Sequence, residues 1–321
     1  MGQNEGQGGA SVVQLVRDFV AGIPRGDDKV YEVPDEGTRQ AMTACATLLM
    51  TGAPTAEVTP MAESRGYEAV DFHDEVMDRT LSVLRPKPGA VVDPPAHWGL
   101  YVFSSEATLN VVIQAPHPIF DRFSDRMAAQ AFQGGDARAL FVAGTHRHSG
   151  GEDPDPETAD VARYVPSVFN AIHTSALQTL EPLAVIQFHG YGSTEPGDHT
   201  EPDTPATVNV ILSAGLTKAE LAAEPPVVCL VEAIKEDLRA DTDVSDPSIR
   251  FLPNRKWVRG LMAGTNEQRQ VMRELTPDVP FLHVETHGSL RVRVPDDVWD
   301  EHTTGRLGVE LVAAVEKHAG A

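Results

Sequence analysis

Three segments of this 321-residue sequence end in side chains that could bind a metal ion or move a proton. The first is an apolar run that starts at Leu109, is bounded by prolines, and ends with His117 and Asp121. Two later apolar runs end in His189 and Glu285. In an open α/β sheet, ligands and chemistry collect in the crevice at the carboxyl ends of the strands. We therefore expect these four polar residues to converge on one site.

The residue types predict which chemistry that site performs. Two imidazole nitrogens and one carboxylate, with a fourth position left open, are the pattern of catalytic zinc. We expect one zinc ion to be held by His117, Asp121 and His189. A carboxylate that is not a ligand must then take the proton of the activated water, and Glu285 is the candidate. Arg147 is the candidate partner for the developing oxyanion.

Each assignment has an alternative that the sequence leaves open. Asp121 could cap the helix that follows it, a role that Asp performs well. His146 and His148 flank the predicted arginine and are alternative metal ligands. Glu285 could be a buried carboxylate in an ion pair. Arg147 could pair only with the acidic segment that follows it.

Two further groups of residues lie close to the predicted base. His283 and His287 bracket Glu285 at a spacing of two residues, so in a strand all three side chains point to the same face. Arg291 and Arg293 follow on the same segment, and one of them could hold a substrate carboxylate through a bidentate pair.

The elements that must position these residues form a regular pattern from residue 109 onward. Apolar runs of strand length alternate with runs of helical spacing, which favours an α/β fold with a mostly parallel (mixed) central sheet and helices on both faces. The predicted strands are 66–72, 80–84, 98–103, 109–115, 137–143, 183–188, 207–212 and 281–285. The predicted helices are 12–21, 37–50, 124–132 with Ser124 as N-cap, 165–180, 225–238 and 304–317.

The connections carry further expectations. Strands 98–103 and 109–115 are separated by a short polar segment, which predicts a hairpin. Residues 53–65 contain two prolines and little periodicity, which predicts a loop. The polar segment 144–160 is long for a connection, and loops of that length in compact domains are often functional.

Length and composition limit the domain count and the partners. We expect a disordered tail over residues 1–10 and one domain over 11–321, with residues 11–95 as a helical lead-in. The 47 acidic and 26 basic residues give a net charge of −21, which disfavours nucleic acid and anionic membranes as partners. Neither a signal peptide nor a run of about 20 apolar residues occurs, so we expect a cytoplasmic protein. A small molecule or a peptide is the expected substrate, and the oligomeric state is open.

Several motifs together resemble the zinc-dependent exopeptidase and amidohydrolase superfamily, which includes zinc carboxypeptidases, N-formylglutamate amidohydrolases and poly-γ-glutamate hydrolases. The motifs are Ala-Pro-His117-Pro-Ile-Phe-Asp121, Ala-Arg-Ala-Leu-Phe-Val-Ala-Gly-Thr-His-Arg147, Ser167-Val-Phe, Val-Ile-Gln-Phe-His189-Gly and Phe-Leu-His-Val-Glu285. The order is similar to that of the superfamily: a histidine and carboxylate pair, a later histidine, then a glutamate base. The resemblance covers residues 98–291.

The resemblance implies a phosphorylase/hydrolase-like fold and a zinc-dependent hydrolase of amide or peptide bonds. It implies a substrate with a carboxylate, such as an N-acyl amino acid, a γ-glutamyl compound or a peptide C-terminus. The pair in carboxypeptidases is usually His-x-x-Glu, whereas the pair ending in Asp121 has one more residue and a shorter acid. A non-catalytic binding module is the alternative. A serine hydrolase is disfavoured because the sequence lacks a Gly-x-Ser-x-Gly elbow.

Overall fold

The computed structural model describes residues 10–26, 28–89, 97–150, 158–192, 209–223, 226–240, 249–252, 261–293, 298–299 and 304–319. Residues 1–9 of the predicted tail lie outside the described residues. So do residues 90–95 of the lead-in, the acidic run 152–157 and the first residues of the predicted strand 207–212.

Ten helices and ten strands are found in the described part of the chain. The helices are α1 (Val12–Ala21), α2 (Glu36–Met50), α3 (Thr55–Glu63), α4 (Ser124–Gly134), α5 (Val168–Leu180), α6 (Lys218–Ala222), α7 (Pro226–Ala240), α8 (Glu267–Leu275), α9 (Gly288–Arg291) and α10 (Arg306–Ala319). The strands are β1 (Tyr67–Asp74), β2 (Arg79–Pro86), β3 (Leu100–Phe103), β4 (Leu109–Ala115), β5 (Ala137–Val142), β6 (Ala184–Tyr191), β7 (Val210–Ser213), β8 (Phe281–His287), β9 (Val292–Arg293) and β10 (Val298–Trp299).

The central sheet has eight strands in the order β1-β2-β3-β5-β4-β6-β8-β7. The four middle strands β5, β4, β6 and β8 run parallel, while β1, β2 and β3 on one side and β7 on the other pair antiparallel. Parallel neighbours need crossover connections, and helices supply them on both faces. The predicted α/β fold with a mostly parallel, mixed sheet is confirmed.

The two faces of the sheet are covered by separate helix layers. Helices α1, α4, α7 and α10 pack on one face, against alternate strand residues such as Ile113, Ile186 and Val284. Helices α2, α3, α5 and α8 cover the other face, against the intervening residues such as Val112 and Val185. In the described ranges, no helix combines the length and the apolar character needed to cross a membrane.

The predicted hairpin of residues 98–103 and 109–115 is wrong. Strand β3 pairs antiparallel with β2 and β5, and β5 lies between β3 and β4. Arg138 on β5 holds the connecting segment in place, because its guanidinium donates to the carbonyls of Ser104, Ser105 and Ala107 at 2.7–3.0 Å. Because β5 comes later in the chain, residues 98–115 carry no local signal that another strand lies between β3 and β4.

The predicted loop 53–65 is also wrong, because residues 55–63 form α3. Pro60 lies inside this helix and removes one backbone donor, which weakens the local helical signal. Val58 and Ala62 are buried in the second layer, one helical turn apart. Tertiary burial therefore stabilises a helix that local propensity disfavours.

Two smaller corrections concern α4 and a cysteine. Ser124 is the first residue of α4 and not its N-cap, which is Phe123 in a left-handed conformation with φ 71°. Both Cys45 and Cys229 lie in apolar runs, which predicts two small core residues; Cys45 is buried, whereas Cys229 is exposed on α7. On the same helix Val228 and Val231 are buried, so the apolar face of α7 that packs on the sheet does not include Cys229.

Residues of the lead-in are part of the same sheet and layers as the rest of the chain. Asp74, fully buried at the end of β1, accepts hydrogen bonds from the backbone N–H groups of Val12, Val76 and Met77 and from the amide of Gln133. The donor–acceptor distances are 2.6–2.9 Å. One carboxylate thus links α1, the β1–β2 turn and α4. That residues 11–321 form a single domain, which unfolds as one cooperative unit, stays a prediction.

Substitution of Asp74 by Asn tests this link. The amide keeps one acceptor oxygen but places an NH₂ group against backbone N–H donors, so we expect the free energy of unfolding to fall by about 2–3 kcal/mol. Urea unfolding followed by circular dichroism and by tryptophan fluorescence measures it. The exposed Glu75→Gln is the matched control and should change little. Two separate transitions in the unsubstituted protein would contradict the single-domain prediction.

Candidate functional site

The four predicted residues come together at one edge of the sheet. His117 and Asp121 follow β4, His189 lies near the end of β6, and Glu285 lies near the end of β8. These strands are parallel neighbours, and His189 and Glu285 are direct partners in the β6–β8 ladder. All four side chains are buried. The topology, and not sequence proximity, makes the cluster.

The geometry of three of these residues is compact. One carboxylate oxygen of Asp121, Oδ2, lies 3.3 Å from Nδ1 of His117 and 2.9 Å from Nδ1 of His189. The two imidazole rings meet edge to face, with centroids 4.9 Å apart. Asp121 is therefore placed between the two histidines.

Charges inside this group stabilise an ionised carboxylate. Burial alone would raise the pKa of Asp121, but hydrogen bonds and charge from His117 and His189 outweigh it and hold that pKa far below its usual range. Burial alone would lower the pKa of His117, but the charges of Asp160 and Asp121 outweigh it and raise it. For His189, burial dominates and lowers the pKa. The site thus combines an ionised carboxylate with one imidazole whose pKa is raised, His117, and one whose pKa is lowered, His189.

Asp160 holds the outer nitrogen of His117. Its Oδ1 lies 2.8 Å from His117 Nε2, and its Oδ2 accepts from the guanidinium of Arg147 at 2.5 Å. Burial would raise the pKa of Asp160, yet His117 and the neighbouring arginines hold it well below its usual range. An ionised carboxylate only accepts, so Nε2 of His117 donates to Asp160 and, in the metal-free chain, Nδ1 donates to Asp121; a metal ion would replace the proton on Nδ1.

Arg147 lies beside the site but is already paired. Its guanidinium is 2.5 Å from Asp160 and stacks over the Phe120 ring, with Cζ 5.0 Å from the ring centroid. Its Nε is buried and makes no hydrogen bond within the part of the chain that the structure describes. Asp160 is the last residue of the loop 144–160, so this ion pair is the one that the alternative role of Arg147 predicts, and Nε remains as a donor.

Glu285 is a buried carboxylate with an unused oxygen. Its Oε2 is buried and has no hydrogen-bond partner among the described residues, and its Oε1 lies 3.7 Å from Nε2 of His283. Burial, and then the negative charge of Asp121, raise the pKa of Glu285 well above its usual value, while Arg291 and Arg147 oppose the shift. The carboxyl therefore binds a proton tightly, and none of the described residues is hydrogen-bonded to its Oε2.

The residues present fit a zinc ion. Tetrahedral zinc with bonds of about 2.0–2.1 Å places its ligand atoms roughly 3.3 Å apart. The three candidate ligand atoms of His117, Asp121 and His189 lie within 4.8 Å of one another, and the two closest approaches are 3.3 and 2.9 Å. An ionised carboxylate and two imidazole nitrogens form the donor set of a catalytic zinc site with an open position.

A second group of possible ligands overlaps the first. It consists of His189, His283 and Glu285, whose ligand atoms also lie within 4.8 Å of one another. His189 belongs to both groups, but its Nδ1 is 2.9 Å from Asp121 and its Nε2 is 2.8 Å from the side-chain oxygen of Gln187. With both nitrogens directed elsewhere, the first group has the better donor geometry.

The alternative roles of several residues find no support in the geometry. The carboxylate of Asp121 bonds the two histidines, and α4 begins without a side-chain cap, so the helix-cap alternative is wrong. His146 and His148 contact the Phe120 ring, with centroids 5.6 and 5.3 Å away, and belong to neither ligand group. His287 pairs with Ser289 at 2.7 Å.

Arg291, one of the two candidates for a substrate carboxylate, is bound to the backbone. Its guanidinium donates to the carbonyls of Thr286, Tyr191 and Arg122. A Cβ at Gly190 would clash with the guanidinium of Arg291, so only glycine allows this close approach. Arg291 therefore joins the ends of β6 and β8 to the start of α4. The side chain of Arg293 lies outside the described residues.

Several residues that support the site from the sheet side are not among the predicted ones. Asp160 ends the long segment 144–160, and its role is invisible without the fold. Gln114 and Gln187 are fully buried amides inside otherwise apolar strands, next to each other in the β4–β6 ladder. A lone amide within a near-continuous apolar run is a signal that could have identified them, because a buried polar group requires a partner.

Comparison with known proteins gives structural similarity of limited extent. No family model matches the chain, and no curated protein matches it. A metallo-carboxypeptidase from Pseudomonas aeruginosa is 14% identical over 82% of this chain and 68% of its own, with a TM-score of 0.40. N-formylglutamate amidohydrolase from Ralstonia eutropha JMP134 is 12% identical over 70% of this chain and 97% of its own, with a TM-score of 0.38. A bacteriophage poly-γ-glutamate hydrolase is 12% identical over 66% and 83%, with a TM-score of 0.37.

These proteins are of the classes that the sequence motifs resemble. Identities of 12–14% and TM-scores of 0.37–0.40 do not assign a reaction, so the chemistry of this chain depends on its own residues.

Substitution of Asp121 by Asn separates a ligand from a structural residue. Loss of the anionic donor should weaken zinc binding at least about 10-fold, because a neutral amide oxygen is a poor zinc ligand. Isothermal titration of the metal-free protein with zinc measures the affinity, and circular dichroism should show α4 intact. Asp125→Asn is the control, since Asp125 is also buried, four residues further on, outside both ligand groups. Equal losses in both variants would contradict the ligand assignment.

Proposed function

We propose that this protein is a zinc-dependent hydrolase that cleaves an amide or peptide bond in a substrate bearing a free carboxylate. The observation that carries the proposal is the meeting of three possible ligand atoms, from His117, Asp121 and His189, near a buried oxygen of Glu285 that has no hydrogen-bond partner among the described residues. A structural zinc site needs four protein ligands, whereas three ligands and a nearby free carboxylate suit catalysis. The proposal rests on these residues alone.

Zinc held by His117, Asp121 and His189 would supply Lewis acidity, which lowers the pKa of bound water to about 7 and polarises a substrate carbonyl. The chain's own part is to hold three donors in place and leave the fourth side open. Asp160 orients His117 through its outer nitrogen, and such outer partners set ring orientation and basicity. The buried surroundings exclude bulk water from the ligands.

Glu285 is the proposed general base. It accepts the proton of the attacking water at Oε2 and returns it to the leaving nitrogen, so no net proton is consumed. Burial and Asp121 raise its pKa in the metal-free chain. A divalent cation at the ligands opposes that effect, because a nearby positive charge favours the ionised carboxylate. The group is thus placed where its proton affinity depends on the bound metal.

Arg147 is the proposed stabiliser of the tetrahedral oxyanion. Its pair with Asp160 and its stacking on Phe120 fix the guanidinium plane, which lowers the entropy lost when it meets the developing charge. The buried Nε has no acceptor among the described residues and is the donor available for that charge. The same cation would attract a substrate that carries a carboxylate.

The first test combines metal content with the base. We expect one zinc ion per chain by mass spectrometry of the purified protein and loss of hydrolysis with chelator, restored by zinc. Glu285→Gln should keep the zinc and lower kcat by about 10²–10⁴, because the amide cannot accept the proton. N-acyl amino acids and short peptides, compared with and without zinc, provide the assay.

The outcomes separate the alternatives. A protein without zinc whose thermal stability does not respond to chelator contradicts the metallohydrolase. Zinc binding without turnover of any substrate in either class favours the non-catalytic binding module. Unchanged hydrolysis by the Glu285→Gln variant removes Glu285 as the base and leaves the metal site intact.

The second test concerns the oxyanion. Arg147→Met should lower kcat by about 10²–10³ and leave zinc content unchanged, because the lost donor acts on the transition state. Steady-state kinetics with the best substrate found above measures the effect. Arg79→Met is the matched control, since Arg79 also pairs with an aspartate and is similarly half-buried, but lies on the β1–β2 hairpin. A loss confined to KM would assign Arg147 to substrate binding.

A further inference from the structure

A network of buried amides and imidazoles lies directly behind His189. It occupies the sheet face covered by α5 and α8, where polar residues replace the usual apolar ones. Its members are Gln114, His173, Gln187, Asn266 and Gln268. The site as proposed above uses none of them. Buried polar groups of this number are costly unless each is satisfied, so the directions of their hydrogen bonds are restricted.

The first restriction comes from His173. Its Nε2 lies 3.1 Å from the backbone carbonyl of Gln268, which can only accept, so Nε2 carries the proton. Burial lowers the pKa of His173 to about 4, so the ring is neutral and Nδ1 is an acceptor. The amide of Gln114 therefore donates to Nδ1 at 2.9 Å. Its oxygen then accepts from the amide nitrogen of Gln187 at 2.9 Å.

The second restriction comes from Gln268 itself. Its side-chain Nε2 donates to the backbone carbonyl of Val161 at 2.7 Å, which fixes the orientation of the amide. The Oε1 atom of Gln268 consequently faces Gln187 and accepts from Nε2 of that residue at 3.1 Å. Two independent chains of hydrogen bonds thus assign the same end of the Gln187 amide as the donor.

The third restriction comes from the start of α8. Asn266 caps this helix, and its Oδ1 accepts from the backbone N–H of Arg269 at 3.1 Å. Its Nδ2 therefore donates, and it lies 2.6 Å from Oε1 of Gln187. The Oε1 atom of Gln187 is then an acceptor by all three routes, each of which ends at a backbone group of fixed polarity.

The consequence reaches His189. Its Nε2 is 2.8 Å from Oε1 of Gln187, and two acceptors cannot face each other at this distance, so Nε2 carries the proton. We propose that Gln187 is a positioning residue of the metal centre, and that the network behind it fixes the tautomer of His189 so that Nδ1 is presented to the ion. The inference rests on the proposed function, since it presumes that His189 is a ligand.

Gln187 thus does for His189 what Asp160 does for His117, with a neutral group in place of a charged one. Outer partners of metal-bound histidines typically alter metal affinity about 10–100-fold. A neutral partner keeps the net charge of the centre unchanged. An amide can face His189 with either its oxygen or its NH₂ group, so other groups must fix its orientation. This explains why so many polar groups are buried behind Gln187.

Two substitutions at Gln187 separate positioning from stability. Gln187→Met removes the acceptor but keeps the length of the side chain, and we expect the zinc Kd to rise about 10–100-fold. Gln187→Glu keeps an acceptor towards His189 but places its second oxygen against the amide oxygens of Gln114 and Gln268. We expect this variant to lose more thermal stability without zinc and yet to bind zinc as tightly as the unsubstituted protein.

Competition with a chromophoric chelator measures the Kd, and thermal unfolding of the metal-free proteins measures stability. Thr47→Val is the control: it removes a hydrogen bond of 2.6 Å to Ser175 in the same helix layer and should lower stability without changing the Kd. If affinity follows stability across the three variants, the role of Gln187 is structural and the inference is wrong.

A measurement without substitution covers the case in which the variants do not fold. Long-range ¹H–¹⁵N correlation of the ¹⁵N-histidine-labelled, zinc-loaded protein should show His189 protonated at Nε2 and metal-bound through Nδ1. Binding through Nε2 overturns the inference. If the unsubstituted protein binds no zinc, the proposed function fails as well; if it binds zinc and Gln187→Met binds equally tightly, only this inference fails.

Discussion

The candidate site depends on an electrostatic constraint: two imidazole nitrogens and one carboxylate oxygen lie close together and are buried. Nδ1 of His117 and Nδ1 of His189 both face one oxygen of Asp121, at 3.3 and 2.9 Å. Their protons are held on the opposite side of each ring, by Asp160 and by Gln187. Such an arrangement is repulsive unless a proton or a metal ion lies between the donors. In the metal-free chain a proton between Asp121 and the imidazoles relieves that repulsion, and a bound ion would take its place.

The sheet supplies the rigidity. Strands β4, β6 and β8 are adjacent and parallel, so residues at their carboxyl ends share one edge, and the period of two along each strand directs alternate residues to one face. Gln114, Gln187 and His283 form one cross-strand row, and His189 and Glu285 form the next. In the first row, Gln114 and Gln187 are hydrogen-bonded to α5, α8 and the N-cap of α8, and the second row contributes to the candidate site. Support and function are therefore two successive positions of the same strands.

The sequence was sufficient for the parts of the structure that have a local pattern. The parallel strands and most helices follow from apolar runs and their period, and the strand-end residues His117, His189 and Glu285 follow from where those runs stop. The sequence was insufficient where contacts with a distant segment of the chain determine the local structure. The β5 strand separates two segments that read as a hairpin, α3 forms around Pro60 because it is buried, and Arg291 bonds carbonyls from three parts of the chain.

The polarity of the network explains why the amides behind the site were not predictable one at a time. Each amide could be oriented either way by itself, and only backbone groups of fixed polarity, at Val161, Gln268 and Arg269, remove the choice. These groups lie on α5–α8 contacts and on loops far from residue 189 in sequence. The tautomer of one histidine is thus a property of the packing between two helices and the sheet. His189, the proposed metal ligand, and Asn266, the N-cap of α8, are constrained by the same hydrogen-bond network, so neither can be altered without consequence for the other.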